Sequence, residues 1–162
     1  MTEPPVTVEA LPESTVESAQ PDTPLIVLDT MVVVSGIMGR IDASDARTLE
    51  AIETGRVRLA LSDDWLRELN DVLGREEVLS RETQPGRAFR AGLTLGLMGD
   101  LYRPERLDWV SLSDRKDWWM LNLAYASSAD FIVTRDKRVI KAASALGFDV
   151  LTPPALLSTL RD

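Results

Sequence analysis

The sequence predicts an α/β domain built on a mainly parallel sheet, and three observations carry that prediction. Leu25-Ile26-Val27-Leu28 is an apolar run with no polar alternation that ends on Asp29, and Phe131-Ile132-Val133 repeats the pattern ahead of Thr134 and Asp136. Short unbroken apolar runs belong to strands buried on both faces, as in parallel sheets covered by helices. Strand-like runs alternate with stretches of helical spacing along the chain, which is the order of an α/β fold. Finally, carboxylates recur just beyond the strand-like runs, the place where ligands bind in such sheets.

Composition narrows the chemistry. The chain has 162 residues, enough for one domain with its own core, and 44% of them are apolar. It has no Cys and no His. That excludes disulfides, thiolate or His-ligated metal sites, Ser-His-Asp triads and His-based nucleases. Hydrolysis on this chain must rest on carboxylates, with a hard metal. The net charge of -8 is uneven: Glu3, Glu9, Glu13, Glu17 and Asp22 give residues 1–24 a charge of -5, while the remainder, with 21 acids and 18 bases, carries only -3. The acidic balance gives no argument for nucleic-acid binding. Residues 1–24 also hold five Pro among acids, Ser and Thr. They read as a disordered or loosely docked tail, without the pattern of a signal peptide. No run is long enough to span a membrane, and the absence of Cys suits a reducing compartment, so the expected location is cytoplasmic.

The elements follow in order. Met31 to Met38 predicts a helix that breaks near Gly39, and Asp42 or Ser44 can cap the next one, with Ala46, Leu49 and Ile52 at helical spacing and Gly55 beyond its end. Val57 to Leu61 is the second strand. Ser62 caps a helix that carries Trp65, Leu66, Leu69, Val72 and Leu73 on one face and ends at Gly74. Residues 75–84 are polar and carry no clear pattern. Pro85 opens a helix to about Tyr102, in which Gly92 and Gly96 share a face and admit close packing. Leu107 to Ser111 reads as a weak third strand, and Asp114 to Ala126 as a helix. Phe131 to Thr134 is a buried strand, Lys137 to Leu146 a helix closed by Gly147, and Phe148 to Leu151 the last strand. Thr152 and Pro153 read as N-cap and first residue of a terminal helix.

On this reading Asp29, Glu68, Asp114, Asp117 and Asp136 all fall at one edge of the sheet. Each has a purely structural explanation. Asp29 and Asp136 are placed as N-caps, Asp114-Arg115-Lys116-Asp117 has the spacing of a capping box, and Glu68 can be a solvated helix residue. Helical geometry nevertheless sets Glu68 beside Trp65 and Val72, at the border of an apolar stripe, and Asp117 on the face of Leu121 and Ala124. Carboxylates crowded there raise each other's pKa. A divalent cation with a preference for oxygen ligands, such as Mg²⁺, would relieve that.

Taken together, Leu28-Asp29-Thr30, the acid of Trp65-Leu66-Arg67-Glu68-Leu69, Ser113-Asp114-Arg115-Lys116-Asp117 and Phe131-Ile132-Val133-Thr134-Arg135-Asp136 resemble the successive signatures of PIN-domain nucleases. The resemblance covers about residues 25–160 and is nearest to the toxin components of bacterial toxin–antitoxin systems. It implies a PIN-like, flavodoxin-like three-layer fold around a mainly parallel sheet of about five strands. It further implies a metal-dependent ribonuclease that uses Mg²⁺ or Mn²⁺. Position by position, the acid cluster is Asp29, Glu68, Asp117 and Asp136, with Asp114 as an outer ligand and Thr134 as a hydroxyl support at the substrate side. Two departures stand out. Met31 occupies a position where the family usually has Asn, which points to weakened activity. Arg135 stands where Gly or Asn is frequent.

The implied mechanism is metal-assisted phosphodiester hydrolysis, with Glu68 or Asp117 as a base for water. Arg115, Lys116, Arg135, Lys137 and Arg138 lie beside the acids and suit flanking phosphates, although solvated helix surface explains them equally well. Trp118 and Trp119 suit stacking on unpaired bases, but they point about 100° apart, so at least one is expected in the core. The resemblance also implies RNA as substrate and a small antitoxin protein as partner; the charge of the acid cavity suits entry of an Arg or Lys from that partner. A homodimer through the helix at 86–102 is a further expectation. Two other functions compete: a degenerate PIN-like binding module, motivated by Met31, and a phosphotransfer domain. The second lacks the additional Asp or acidic pair that such domains require.

Overall fold

The computed structural model describes residues 22–40, 43–107 and 118–160. Five parallel strands form one sheet in the order β3-β2-β1-β4-β5: β1 (Leu25–Leu28), β2 (Arg58–Leu61), β3 (Asp100–Leu101), β4 (Phe131–Val133) and β5 (Val150–Leu151). Ile26 lies opposite Leu59 on one side and Phe131 on the other, and Ile132 lies opposite Val150. Between the strands run α1 (Thr30–Met38), α2 (Ser44–Glu53), α3 (Asp63–Leu73), α4 (Glu76–Leu79), α5 (Arg87–Met98), α6 (Trp118–Ser127) and α7 (Lys137–Ala145), and α8 (Pro153–Thr159) follows the last strand. The chain is a three-layer α/β domain of the expected class.

The strand order decides where a site can form. From β1 the chain moves outward to β2 and β3, and from β4 it moves the other way to β5. Right-handed crossovers put the two sets of helices on opposite faces. The carboxyl ends of β1 and β4 are therefore left side by side with the chain departing in opposite directions, which opens a crevice between them.

Ile26, Val27 and Leu28 are fully buried, as are Ala60 and Val133, and the core continues through Leu59, Leu61, Trp65, Leu121, Leu123 and Leu156. This explains why the strand runs show no alternation: both faces are covered. Local signals act as the sequence predicts at several ends. Ser62 accepts from the Trp65 N–H at 3.2 Å and caps α3. Gly55 and Gly147 take positive φ just beyond α2 and α7, the conformation in which a residue without Cβ is favoured.

Three local expectations need correction, and one unassigned stretch acquires structure. The α5 helix stops at Met98, and the chain does not stay helical to Tyr102; Gly99 is extended and Asp100–Leu101 pair with Ala60 and Leu61 as β3. A Cβ on Gly99 would collide with the Leu61 side chain and lie 3.0 Å from the Leu59 carbonyl, so the glycine marks a close approach to β2. A two-residue strand is too short for any periodicity to reveal. Leu107, expected to begin the third strand, is not in a strand, and positions 108–111 lie outside the described residues. Ser44 is the first residue of α2 and not its cap, and its Oγ accepts from Arg135 at 2.8 Å; Asp42 lies outside the described residues. The polar stretch 75–84 contains α4, and it includes Glu82, whose carboxylate accepts from the N–H groups of Gly86 and Ala88 and so caps α5. The expectation for residues 1–21 also falls outside the described residues, whereas the Pro24 carbonyl already accepts from the Arg58 N–H at 2.8 Å.

Candidate active site

The crevice at the carboxyl ends of β1 and β4 is a cavity of about 790 Å³, lined by Asp29, Asp45, Glu68 and Asp136 with Met31, Trp119, Arg135 and Arg138. Four carboxylates from four separate parts of the chain thus face one space.

Asp29 is placed by three hydrogen bonds. Its own N–H donates to the Val133 carbonyl at 3.0 Å, which continues the pairing of β1 with β4. Its Oδ1 accepts from the Met31 N–H at 2.9 Å, and its Oδ2 accepts from the Thr134 hydroxyl at 2.6 Å. Asp29 is thereby the N-cap of α1 as well as a wall of the cavity, so the structural explanation of this residue and its place at the site hold together. Thr134 is fully buried, and its Oγ also accepts from the Asp136 N–H at 3.0 Å. This hydroxyl links the two aspartates. Expected at the substrate side, Thr134 lies beneath the carboxylates with its hydroxyl engaged, so in this geometry it supports Asp29 and does not face the cavity.

Asp136 caps α7 by accepting from the Arg138 N–H at 2.8 Å, and the Arg138 Nη2 pairs with its Oδ2 at 3.0 Å. The Arg138 guanidinium, helped by backbone N–H groups, holds the Asp136 carboxyl below the usual carboxylate range against the opposing pull of partial burial.

Glu68 is half-buried one turn into α3, and Arg67, Asn70 and Asp71 are exposed, as the helical wheel predicts. What sets its position is Trp65. The indole is fully buried, and its Nε1–H donates to the Leu28 carbonyl at 2.6 Å. Leu28 is the residue before Asp29. The bond therefore fastens α3 to the end of β1, with Glu68 one turn further along.

Asp45 was not among the expected acids. It is 4% exposed, and the Arg135 Nε and Nη2 donate to its Oδ1 at 3.1 and 2.6 Å. A buried carboxylate needs such a partner. Arg135, expected at substrate phosphates, lines the cavity, but two of its donor nitrogens already serve α2. The signal for Asp45 was present: it shares a helical face with Leu49 and Ile52, the same apolar spacing that singled out Glu68. Of the remaining expected bases, Arg138 lines the cavity and Lys137 is exposed but does not. Both Trp118 and Trp119 pack against the core, and Trp119 also forms part of the cavity wall. Asp114, Arg115, Lys116 and Asp117 lie outside the described residues.

The donor set suits a hard divalent cation. The acidic side chains in the cavity offer oxygen ligands, and a carboxylate that accepts two hydrogen bonds, as Asp29 does, retains free lone pairs. Among the described residues no three carboxylates stand close enough to ligate one ion.

The fold is an α/β domain with carboxylates gathered at the switch point between its first and fourth strands. The family model of the PIN domain matches residues 25–138, and the chain belongs to that family. PIN domains are generally nucleases and typically use divalent metals. Among solved structures the chain is similar to VapBC2 from Rickettsia felis, crystallised with a DNA fragment from their promoter, at 15% identity over 79% of this chain and 98% of that chain, with a TM-score of 0.47. No curated protein matches the sequence.

Proposed function

We propose that this protein is a metal-dependent endoribonuclease, the toxin of a toxin–antitoxin pair, acting on RNA in the cytoplasm. The observation that carries the reading is the meeting of Asp29, Glu68 and Asp136, three residues far apart in sequence, around one cavity at the strand ends. These residues, with Asp117, would hold Mg²⁺ or Mn²⁺, and Asp114 would be an outer ligand. A bound divalent ion supplies an activated water and stabilises charge on the departing oxygen.

The protein groups divide the remaining work. Thr134 and the Met31 N–H hold the Asp29 carboxylate in one orientation. Arg138 orients the Asp136 carboxylate and favours its ionised form further. Glu68, half-buried on the cavity wall, is a base for the attacking water, and Asp117 is the alternative. Arg135 and Arg138 at the wall, with Lys137 nearby, Arg115 and Lys116, suit the flanking phosphates, and Trp119 offers a ring to an unpaired base. The test is cleavage of RNA with Mg²⁺ or Mn²⁺. We expect activity that EDTA abolishes and that Asp29→Asn removes; a folded protein inert with either metal overturns the reading.

A second reading, a PIN-like module that binds without cutting, has one observation in its favour. Met31 is 54% exposed on the cavity wall, where an amide would otherwise stand to orient a ligand.

The proposed toxin role requires restraint by a small antitoxin. An Arg of the partner entering the cavity would form charge-assisted bonds with the acids and exclude the metal. The proposed homodimer uses α5, but not by its glycine face. Gly92 and Gly96 pack on Leu73 and Leu66 of α3. The neighbouring face exposes Phe89, Leu93 and Leu97 by 70%, 53% and 78%. These stand at i, i+4 and i+8 beside an apolar groove lined by Leu66, Leu73 and Leu79, so ridge and groove on one patch allow a self-complementary contact. Leu93→Asp should give a monomer by light scattering if this face mediates association.

A further inference from the structure

We infer that a second, cationic cavity beside the acid site binds the sugar–phosphate backbone of single-stranded RNA, one to two nucleotides from the point of cleavage. The inference rests on the nuclease reading and adds a substrate-binding site to it. The cavity, of about 250 Å³, is lined by Arg67 of α3 and by Tyr102, Arg103 and Arg106, which follow β3, together with Asp63 and Asp64. Three guanidiniums from two separate segments converge on it, in a protein whose overall charge is -8.

Position ties this cavity to the acid site. Tyr102 to Arg106 continue from the carboxyl end of β3, so they emerge at the same sheet edge as Asp29 and Asp136. Asp64 and Glu68 stand one turn apart on one face of α3. Asp64 lines the cationic cavity and Glu68 the acid one, so the two spaces border on successive turns, about 5–6 Å apart along the helix. Charges recur about every 3.4 Å along one strand of a duplex, so a strand that crosses both spaces brings phosphates one to two nucleotides apart to the two cavities.

The arginines are available. Arg67 pairs with Asp64 at 2.9 Å while 65% of its side chain is exposed, and Arg106 stands at 4.0 Å from the same oxygen with 85% exposed. One carboxylate thus serves two solvated guanidiniums, an arrangement of little strength. Arg103 is exposed and has no carboxylate within ion-pair distance among the described residues. Phosphates match the planar donor fork of arginine. The Tyr102 ring, half-buried against the core, gives the cavity a fixed wall. The acid site repels a polyanion, so productive binding needs cationic groups outside it.

The experiment measures binding of a short single-stranded RNA by fluorescence anisotropy in EDTA across a salt series, beside cleavage with Mn²⁺. For Arg103→Ala/Arg106→Ala we expect roughly tenfold weaker binding at low salt and a salt slope smaller by about 1.4, the value for two lost contacts to a single strand. Asp64→Asn should tighten binding. Unchanged affinity and slope in the double variant, with unaltered thermal stability and wild-type cleavage, overturn the site and leave the nuclease reading intact. Arginine-dependent binding without cleavage in the wild type supports the site and overturns the nuclease reading. A wild-type protein that binds no RNA at low salt and does not cleave it with Mn²⁺ overturns both.

Discussion

Thr134 shows how much of the site depends on one buried atom. Its hydroxyl donates to Asp29 and accepts from the Asp136 N–H. Thr134→Val keeps the shape and removes both bonds, leaving the Asp136 N–H without this partner and Asp29 with one donor fewer. We expect a stability loss of about 1–3 kcal/mol in urea and a drop in metal affinity or cleavage of roughly 10–100-fold, as for residues that orient ligands. Thr134→Ser should recover most of both. A neighbouring residue sets a pH dependence. Because Arg138 lowers the Asp136 pKa in the folded state, the ionised carboxylate binds its proton less readily there than in the unfolded chain. Its contribution to stability is full above the ordinary value of 3.8 and disappears as pH falls through the lower folded value. In metal-free protein, Arg138→Ala should reduce stability at pH 7 and have a smaller effect near pH 2, measured by urea unfolding at each pH.

Among the elements, α3 is held to the sheet in a way that bears on the proposed site. Its apolar face would dock the helix against any complementary surface. The bond from Trp65 to the Leu28 carbonyl fixes where along the strand it docks. Trp65→Phe retains a ring but loses the donor and leaves a buried carbonyl without it. We expect about 2–4 kcal/mol of destabilisation, from the unmet carbonyl and the smaller ring together. Glu68, one turn away, should also lose its alignment with Asp29. The effect should appear as a fall in kcat with thermal stability restored by lower temperature; full kcat in the folded variant would show that Trp65 is structural alone. The same element-level reasoning explains β3. It exists because Gly99 lets the chain turn hard against Leu61 and Leu59.

For the molecule as a whole, the acid cavity makes a prediction about linkage. A cation that binds the native state alone raises stability by about 2.7 kcal/mol at a hundredfold excess over Kd. Melting temperature should therefore rise with Mn²⁺, and Asp29→Asn should blunt the rise. An unchanged melting temperature at millimolar Mn²⁺ argues against tight binding and favours the non-cutting module.

The parts of this fold that were legible in the sequence follow from chain-local physics. Apolar runs bounded by helix signals specified β1 and β4, and carboxylates at their ends specified Asp29 and Asp136, because strand burial and N-capping are read over a few residues. Glu68 was legible from the helical wheel, and Asp45 carried the same mark unread. Relations between distant segments arise only once the chain has folded. The strand order brought β1 and β4 together and so made the crevice. The pairing of Asp100–Leu101 with β2 replaced an expected extension of α5, since two residues hold too little pattern to compete with a helix. The partner of Asp45 is Arg135, 90 residues away, and that of the Trp65 indole is Leu28, 37 residues away. A donor's chemical need is written in its residue type, but the acceptor that meets it is chosen only when the chain has closed around both.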